Sequence, residues 1–166
     1  MVDTRGTDAG TARRIGRLSG GIILIGGILS ALAYWLLPVA EVPLVGSVSA
    51  PELVGQVSDG GSFGLLRLVP WTVLLIILAG AWLLARSAGP GRPVLAVVAL
   101  ICALATGLAY LVPLGKVDQA LDSAGADSLG IQATSLTGGG FWLALIGAVV
   151  ALVGAVVELA TGRSRR

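Results

Sequence analysis

The sequence predicts an all-α membrane protein, a bundle of four transmembrane helices that could consist of two tandem two-helix repeats. Apolar residue types make up 55% of the 166 residues and charged types only 12%, with a mean hydropathy of +0.94. A soluble domain carries about 25% charged residues. Four apolar runs also approach the roughly 20 residues that a helix needs to cross a bilayer. Both observations indicate a polytopic membrane protein.

The four runs predict the spans and divide the rest of the chain into two long loops, a short connection and two polar tails. The connection "ARSAGPGRP" between the middle runs contains Gly-Pro-Gly, which is typical of a turn, so these two helices should form an antiparallel hairpin. The predicted boundaries are tail 1–19, membrane domain 20–160 with spans 20–37, 65–84, 94–112 and 141–160, outer loops 38–64 and 113–140, and tail 161–166.

The distribution of basic residues predicts how the chain is threaded. Nine of the eleven Lys and Arg residues fall in the two tails and the short middle connection, whereas Arg67 and Lys116 fall on the other side. Basic residues near helix ends collect on the cytoplasmic side. We therefore expect a multi-pass protein of the cell membrane, with both termini in the cytoplasm and two acidic loops outside.

An alternative reading of the N-terminus is a cleaved signal peptide. Arg13, Arg14 and Arg17 precede the first apolar run, and 31–33 (Ala-Leu-Ala) fits a small-residue cleavage site. The apolar run continues past that point to Leu37, however, and exceeds the roughly 7–15 residues of a signal-peptide core. A first transmembrane span is the favoured interpretation.

The outer loops contain local structural signals. In the first loop, an extended stretch should precede a short helix over about 50–57, because Ser49 and Glu52 have the spacing of a capping box. In the second loop, a separate short helix is expected near 117–123, after Pro113 has ended the third span. Pro70 should either kink the second span or mark its true start.

Several features occur twice in the same order, which favours an internal duplication. "LAYWLLP" at 32–38 is echoed by "LAYLVP" at 108–113, "GGSFG" at 60–64 by "GGGFW" at 138–142, and Arg86-Ser87 by Arg163-Ser164. Leu, Ala and Gly are abundant, so chance similarity is the competing explanation. A true duplication would be a parallel repeat, related by an axis along the membrane normal.

A weakly polar stripe is the first candidate site. Residues i and i+4 share one face of a helix, and this spacing places Ser30 and Tyr34 together on span one and Cys102, Thr106 and Tyr110 together on span three. Helix packing is the plainer interpretation; a cavity or lipid groove between spans one and three is the alternative. Ala99, Ala103 and Gly107 on span three, and Gly147, Ala151 and Ala155 on span four, form small-residue ladders that favour close packing.

Aromatic residues collect near the ends of the apolar runs. The four tryptophans, together with Tyr34 and Tyr110, are predicted to form an aromatic belt at the membrane surface.

Three charged residues form the second candidate site, as interfacial ion pairs. Glu158 lies about one turn inside the end of span four and is expected to pair with Arg163 or Arg86. Arg67 lies about one turn inside span two and is expected to pair with Glu41 or Asp59. Long charged side chains near helix ends can reach the interface.

The residue inventory argues against catalysis. The chain has no histidine, a single cysteine (Cys102), and neither a phosphate-binding loop nor a nucleophile-elbow motif. We predict no enzyme activity, no catalytic, metal-binding or cofactor-binding residues, no cofactor and no nucleic-acid partner. The absence of a carboxylate from the middle of every span also disfavours proton-coupled transport.

The layout of four spans, and above all the last span "GGGFWLALIGAVVALVGAVVELATGR", resembles the small four-span proteins of high-GC Gram-positive bacteria to which no activity is assigned. The resemblance concerns layout, and no functional residue is carried over from it. It implies a bacterial plasma-membrane protein.

We therefore expect a non-catalytic accessory, assembly or scaffold subunit of a membrane or cell-envelope complex. Its partners would be the lipid bilayer and other membrane proteins or further copies of itself. The alternative is a small oligomeric transporter, channel or lipid-handling protein.

Overall fold

A computed structural model describes residues 5–42, 46–56, 62–86, 89, 91–123 and 137–163. Their order is helix, β-hairpin, short helix, 3-10 helix and three further long helices. The elements are α1 (Arg5–Leu36), β1 (Pro38–Val42), β2 (Gly46–Ser49), α2 (Ala50–Gln56), a 3-10 helix (Ser62–Leu68), α3 (Val69–Ala85), α4 (Arg92–Ser123) and α5 (Gly139–Arg163).

Within the described residues, four helical segments are long and apolar enough to cross a membrane, which confirms the predicted all-α architecture. They are Gly16–Leu36, Gly64–Ala85, Arg92–Val117 and Gly139–Thr161. Large apolar side chains such as Leu78, Ile101 and Val149 are exposed on their outer surfaces. Outward-facing leucine and valine are expected where the solvent is lipid, so the chain is a multi-pass membrane protein whose helices contact the bilayer.

The four long helices form a ring. Helix α1 packs against α5 and α3, and α4 packs against the same two helices, so that α1 and α4 occupy opposite corners. The predicted repeat would relate α1 to α4 and α3 to α5. A two-fold axis along the bundle would place those pairs at opposite corners, as observed, although the duplication itself stays a prediction.

Glycine residues allow α1 to approach α5 and α3 so closely that backbone atoms of the paired helices are in contact. A Cβ atom added to Gly26 would lie 2.5 Å from the backbone nitrogen of Ala151 on α5. One added to Gly80 on α3 would lie 2.6 Å from the backbone nitrogen of Leu24. Such approach compensates for the absence of a hydrophobic driving force between helices in lipid.

The buried side chains form two clusters along the bundle. One lies toward the end that carries the β-hairpin, which we call the hairpin end, and contains Tyr34, Tyr110 and Phe141. The other lies toward the opposite end and contains Ile23, Ile76 and Leu83. We call that opposite end the ion-pair end, because a buried Arg–Glu pair lies beyond the second cluster.

The first loop folds back onto the bundle and onto the start of α5. Strands β1 and β2 pair antiparallel, and Thr137 adds an isolated bridge to Ala40. The N–H of Gly138 donates to the carbonyl of Val39 at 2.9 Å, and a Cβ on Gly138 would overlap the Pro38 carbonyl oxygen. Gly138 therefore allows the first loop to pack against the residues that lead into α5.

The predicted capping box is present at the start of α2. The Ser49 N–H donates to Glu52 Oε2 at 2.9 Å, and Ser49 immediately precedes the helix. This contact is the glutamate half of a capping box, and it satisfies the backbone N–H of the residue that precedes the helix.

The two proline predictions have different outcomes. Pro70 lies at the second position of α3, where a 3-10 helix gives way to α-helix, so it marks the start of the α-helix. The prediction that Pro113 ends the third span is wrong, because α4 continues through it to Ser123 and no separate helix forms near 117–123. A proline removes one hydrogen bond from a helix. Pro113 is buried, and a membrane helix tolerates that loss where it packs against neighbouring helices.

The aromatic belt is only partly as predicted. The four tryptophans are exposed at run ends, with Trp35, Trp71 and Trp142 at the hairpin end and Trp82 at the ion-pair end. Tyr34 and Tyr110 instead lie in the core, at 4% and 2% exposure. Their helical positions, four residues after Ser30 and Thr106, turn them toward the bundle axis.

Candidate functional site

The most distinctive polar feature is a buried ion pair between α4 and α5. Arg92, the first residue of α4, is 4% exposed, and Glu158 near the end of α5 is 5% exposed. Arg92 Nε donates to Glu158 Oε1 at 2.7 Å, and Arg92 Nη2 donates to Glu158 Oε2 at 3.0 Å. This is a two-pronged guanidinium–carboxylate contact, the geometry that gives the strongest charge-assisted hydrogen bonds.

The remaining donors of the guanidinium reach backbone carbonyls of two other helices. Nη2 donates to Gly16 of α1 at 2.7 Å, and Nη1 donates to Leu83 of α3 at 3.4 Å and to Arg86 just after it. A guanidinium has five N–H donors, and each has an acceptor here. A single side chain therefore links all four helices at the ion-pair end.

Two residues of α1 complete the site. The Ser19 hydroxyl, fully buried, donates to Glu158 Oε2 and also lies 3.1 Å from the Gly16 carbonyl oxygen. A Cβ atom on Gly16 would lie 2.8 Å from Arg92 Nη2, so the absence of a side chain there makes room for the guanidinium.

The pair is neutral as a whole, and the arrangement is suited to holding helices together. Removing an ion from water costs several kcal/mol, and the cost is offset only when the geometry is good and the other donors and acceptors are satisfied. The contacts of Arg92 meet that requirement. Chemically, the site fixes the relative position of α1, α3, α4 and α5 at one end of the bundle.

The sequence prediction for Glu158 did not identify this partner. Arg86, one predicted partner, places its guanidinium 4.5 Å from the Trp82 ring centroid and contributes its carbonyl to Arg92. The side chain of Arg163, the other predicted partner, lies outside the described residues. Arg92 was counted only among the loop charges, although its position at the start of a span, at the same membrane end as Glu158, was a usable signal.

Arg67 lies exposed in the 3-10 helix at the hairpin end. Glu41 is exposed in β1, and Asp59 lies outside the described residues. The predicted pairing of Arg67 with either acid stays a prediction.

The weakly polar stripe forms hydrogen bonds between helices. Thr106 Oγ1 lies 2.8 Å from Thr72 Oγ1 of α3 and is also 2.8 Å from the carbonyl oxygen of Cys102 on its own helix. Ser30 Oγ donates to the Ala144 carbonyl of α5 in a long contact of 3.4 Å. The stripe residues of α1 and α4 thus contact adjacent helices, which agrees with the packing interpretation.

The two tyrosines of the stripe lie together in the buried cluster at the hairpin end. The Tyr110 ring packs edge-to-face on Phe141, with centroids 6.1 Å apart. Within the described residues its buried hydroxyl has no hydrogen-bond partner. An unsatisfied buried hydroxyl is costly and uncommon in folded proteins.

The small-residue ladders behave differently on the two helices. On α5, Gly147 and Ala151 contact α1, where a Cβ on Gly147 would lie 2.7 Å from the Gly26 carbonyl oxygen. On α4, Ala99 and Ala103 are buried, but a Cβ on Gly107 would meet nothing within 4 Å. Only part of the predicted α4 ladder therefore packs.

Comparison of the chain with protein-family models, with curated proteins and with solved structures finds no match in any of the three. Among the described residues no group of three or more His, Cys, Asp or Glu side chains is placed to hold a metal ion.

Proposed function

We propose that this protein is a non-catalytic accessory, assembly or scaffold subunit of a complex in the bacterial cell membrane or envelope. The observation that carries the proposal is the use of interior polar groups for helix packing. Arg92, Glu158, Ser19, Thr72 and Thr106 all bond neighbouring helices. A bundle built in this way is suited to presenting a fixed surface.

The hairpin end is the surface that we propose for partner recognition. There the β-hairpin, α2 and the residues before α5 pack together beyond the membrane-spanning segments. Gly46 and Ser47 of β2 are exposed. Loops held on a rigid scaffold carry recognition more often than the scaffold does, and on the predicted threading these loops face away from the cytoplasm.

Crosslinking from the hairpin end tests this proposal. A photo-crosslinking amino acid at Ser47, exposed on β2, should capture a specific membrane or envelope protein in cells. The same probe at Ile101, exposed on the lipid-facing surface of α4, is the matched control and should capture lipid. Recovery of the Ser47 probe only as uncrosslinked monomer, with the expression level unchanged, would contradict the scaffold role.

A small oligomeric transporter, channel or lipid-handling protein is the second candidate. It is favoured by the Tyr110 hydroxyl, which is buried without a hydrogen-bond partner in the described part of the chain. This hydroxyl would form a hydrogen bond with a polar transported molecule. Thr106→Leu, placed one turn away on α4, should then abolish flux in reconstituted vesicles. Unchanged flux in a folded Thr106→Leu protein would eliminate a path along the stripe.

A further inference from the structure

Two exposed arginines lie at the ion-pair end, one on α1 and the other directly after α3. The two helices run antiparallel, and a Cβ on Gly20 would lie 2.7 Å from the Leu84 backbone nitrogen. Arg17 lies about one turn before Gly20, and Arg86 directly follows α3. Both arginines are exposed, and this register places them at the same level.

The Arg86 side chain is held in place by its surroundings. Its carbonyl accepts a hydrogen bond from the buried Arg92, and its guanidinium lies over the Trp82 ring at 4.5 Å. A cation over an indole face is stabilised by the ring quadrupole. The guanidinium is therefore positioned before any ligand arrives.

The local charge is positive. Arg92 and Glu158 neutralise each other inside the bundle. Among the side chains that the structure describes, Glu158 is the acid at this end, and it is buried. Among the described side chains, therefore, no acid neutralises the charges of Arg17 and Arg86, which are available to an external anion.

Apolar side chains continue from these arginines along the membrane-facing surface. Leu18 is 65% exposed and Leu84 is 40% exposed. A ligand that complements both the arginines and the leucines needs an anionic head group next to aliphatic chains.

We propose that the α1–α3 edge binds an anionic phospholipid, with Arg17 and Arg86 holding its phosphate and Leu18 and Leu84 contacting its acyl chains. Planar guanidinium groups match phosphate oxygens in two-pronged hydrogen bonds. A bilayer that surrounds the four spans supplies such lipids directly to this edge.

Native mass spectrometry of the full-length protein in mild detergent tests the proposal. Titration with phosphatidylglycerol should give a lower Kd than titration with phosphatidylcholine. An arginine near an anionic membrane surface contributes on the order of fivefold in affinity. Arg17→Gln with Arg86→Gln should therefore weaken phosphatidylglycerol binding by roughly 25-fold and remove the preference.

The matched control removes two positive charges from the opposite end, as Arg67→Gln with Lys116→Gln, and should retain the preference. Circular dichroism and thermal unfolding verify that both double variants are folded. Equal binding of the two lipids by the unmodified protein, or an equal loss in the control, would overturn the proposal. Displacement of phosphatidylglycerol by millimolar inorganic phosphate would overturn the lipid assignment in favour of a free-phosphate site.

Discussion

Arg92 places its five N–H donors on a carboxylate and on backbone carbonyls from two further helices. A charge in this position is stable only while its partners remain. The sequence indicated that Glu158 needs a cation, and Arg86 and Arg163 were the predicted partners, while Arg92 falls at the same membrane end. Linear order could not choose among them, because the choice depends on where the short loop after α3 places the start of α4.

Removal of either partner of the ion pair should destabilise the bundle. Arg92→Gln or Glu158→Gln leaves one buried charge without its counter-ion, which costs about 3–5 kcal/mol. We expect Arg92→Gln to be the more damaging change, because the carbonyls of Gly16, Leu83 and Arg86 also lose donors. Reversible unfolding in mixed detergent and SDS measures both losses.

Replacement of both partners provides the control for that experiment. Arg92→Gln combined with Glu158→Gln leaves no unpaired charge, so its loss of stability should be smaller than the sum of the losses in the two single variants. Lys116→Gln, an exposed charge at the other end, should leave the unfolding free energy within about 0.5 kcal/mol of the starting protein. Additive losses in the double variant would contradict the coupling of Arg92 and Glu158.

Tyr110 and Thr106 lie one turn apart on α4, and removing their hydroxyl groups should affect the free energy of unfolding differently. Tyr110→Phe removes an oxygen without a described partner, so it should be neutral or stabilising. Thr106→Val removes a contact with Thr72 and should cost about 1 kcal/mol. The same unfolding measurement compares them; a loss on Tyr110→Phe above that of Thr106→Val would indicate a hydrogen-bonded occupant at Tyr110.

Among the elements, the four long helices were predictable because hydrocarbon thickness requires long apolar runs. The helix α2 was predictable because Ser49 and Glu52 match a capping pattern. The failure at Pro113 has a physical cause. Proline disfavours helix most strongly in water, whereas inside lipid an ended helix would leave several backbone groups without partners.

Close packing of α1 on α5 should depend on Gly26. In Gly26→Ala the new methyl would lie 2.5 Å from the Ala151 nitrogen and 2.6 Å from the Gly147 oxygen. Both atoms are backbone, so the helices must separate, at a cost of about 1–3 kcal/mol. Gly107→Ala on α4 is the matched control, since its methyl meets open space. An equal effect of the two substitutions on unfolding would refute the packing role.

The capping box of α2 should weaken in acid. Hydrogen bonds from the Ser49 N–H and hydroxyl lower the pKa of Glu52 below its usual value. The stabilisation of α2 by the charged Glu52 carboxylate is therefore complete above the ordinary glutamate pKa. It is lost as pH falls through the lowered pKa of Glu52. NMR should show the Ser49 amide shift titrating with that lowered pKa. Glu52→Gln should abolish the titration, and persistence of the titration in Glu52→Gln would assign it to another group.

For the whole molecule, the number of spans could be predicted from the sequence, but the neighbours of each helix could not. Membrane helices are apolar on every face, so they lack the polar face that reveals orientation in soluble bundles. Small residues were the remaining sequence feature that indicated which helix faces pack together. They were informative at Gly147, which lies against Gly26 between α5 and α1, and misleading at Gly107.

The threading of the bundle is a prediction from the charge asymmetry of the sequence, and cysteine accessibility tests it. In the sequence, nine of the eleven basic residues fall in the two tails and in the short middle connection, so we expect the ion-pair end to face the cytoplasm. The protein has one cysteine, Cys102, and it is buried, so Cys102→Ala provides the background. Ser47→Cys, exposed on β2, should react with a membrane-impermeant maleimide in intact cells. Gly91→Cys, in the turn before α4, has room for a Cβ atom and should react only after permeabilisation. The reverse pattern would place the hairpin end in the cytoplasm and invert the proposed recognition surface.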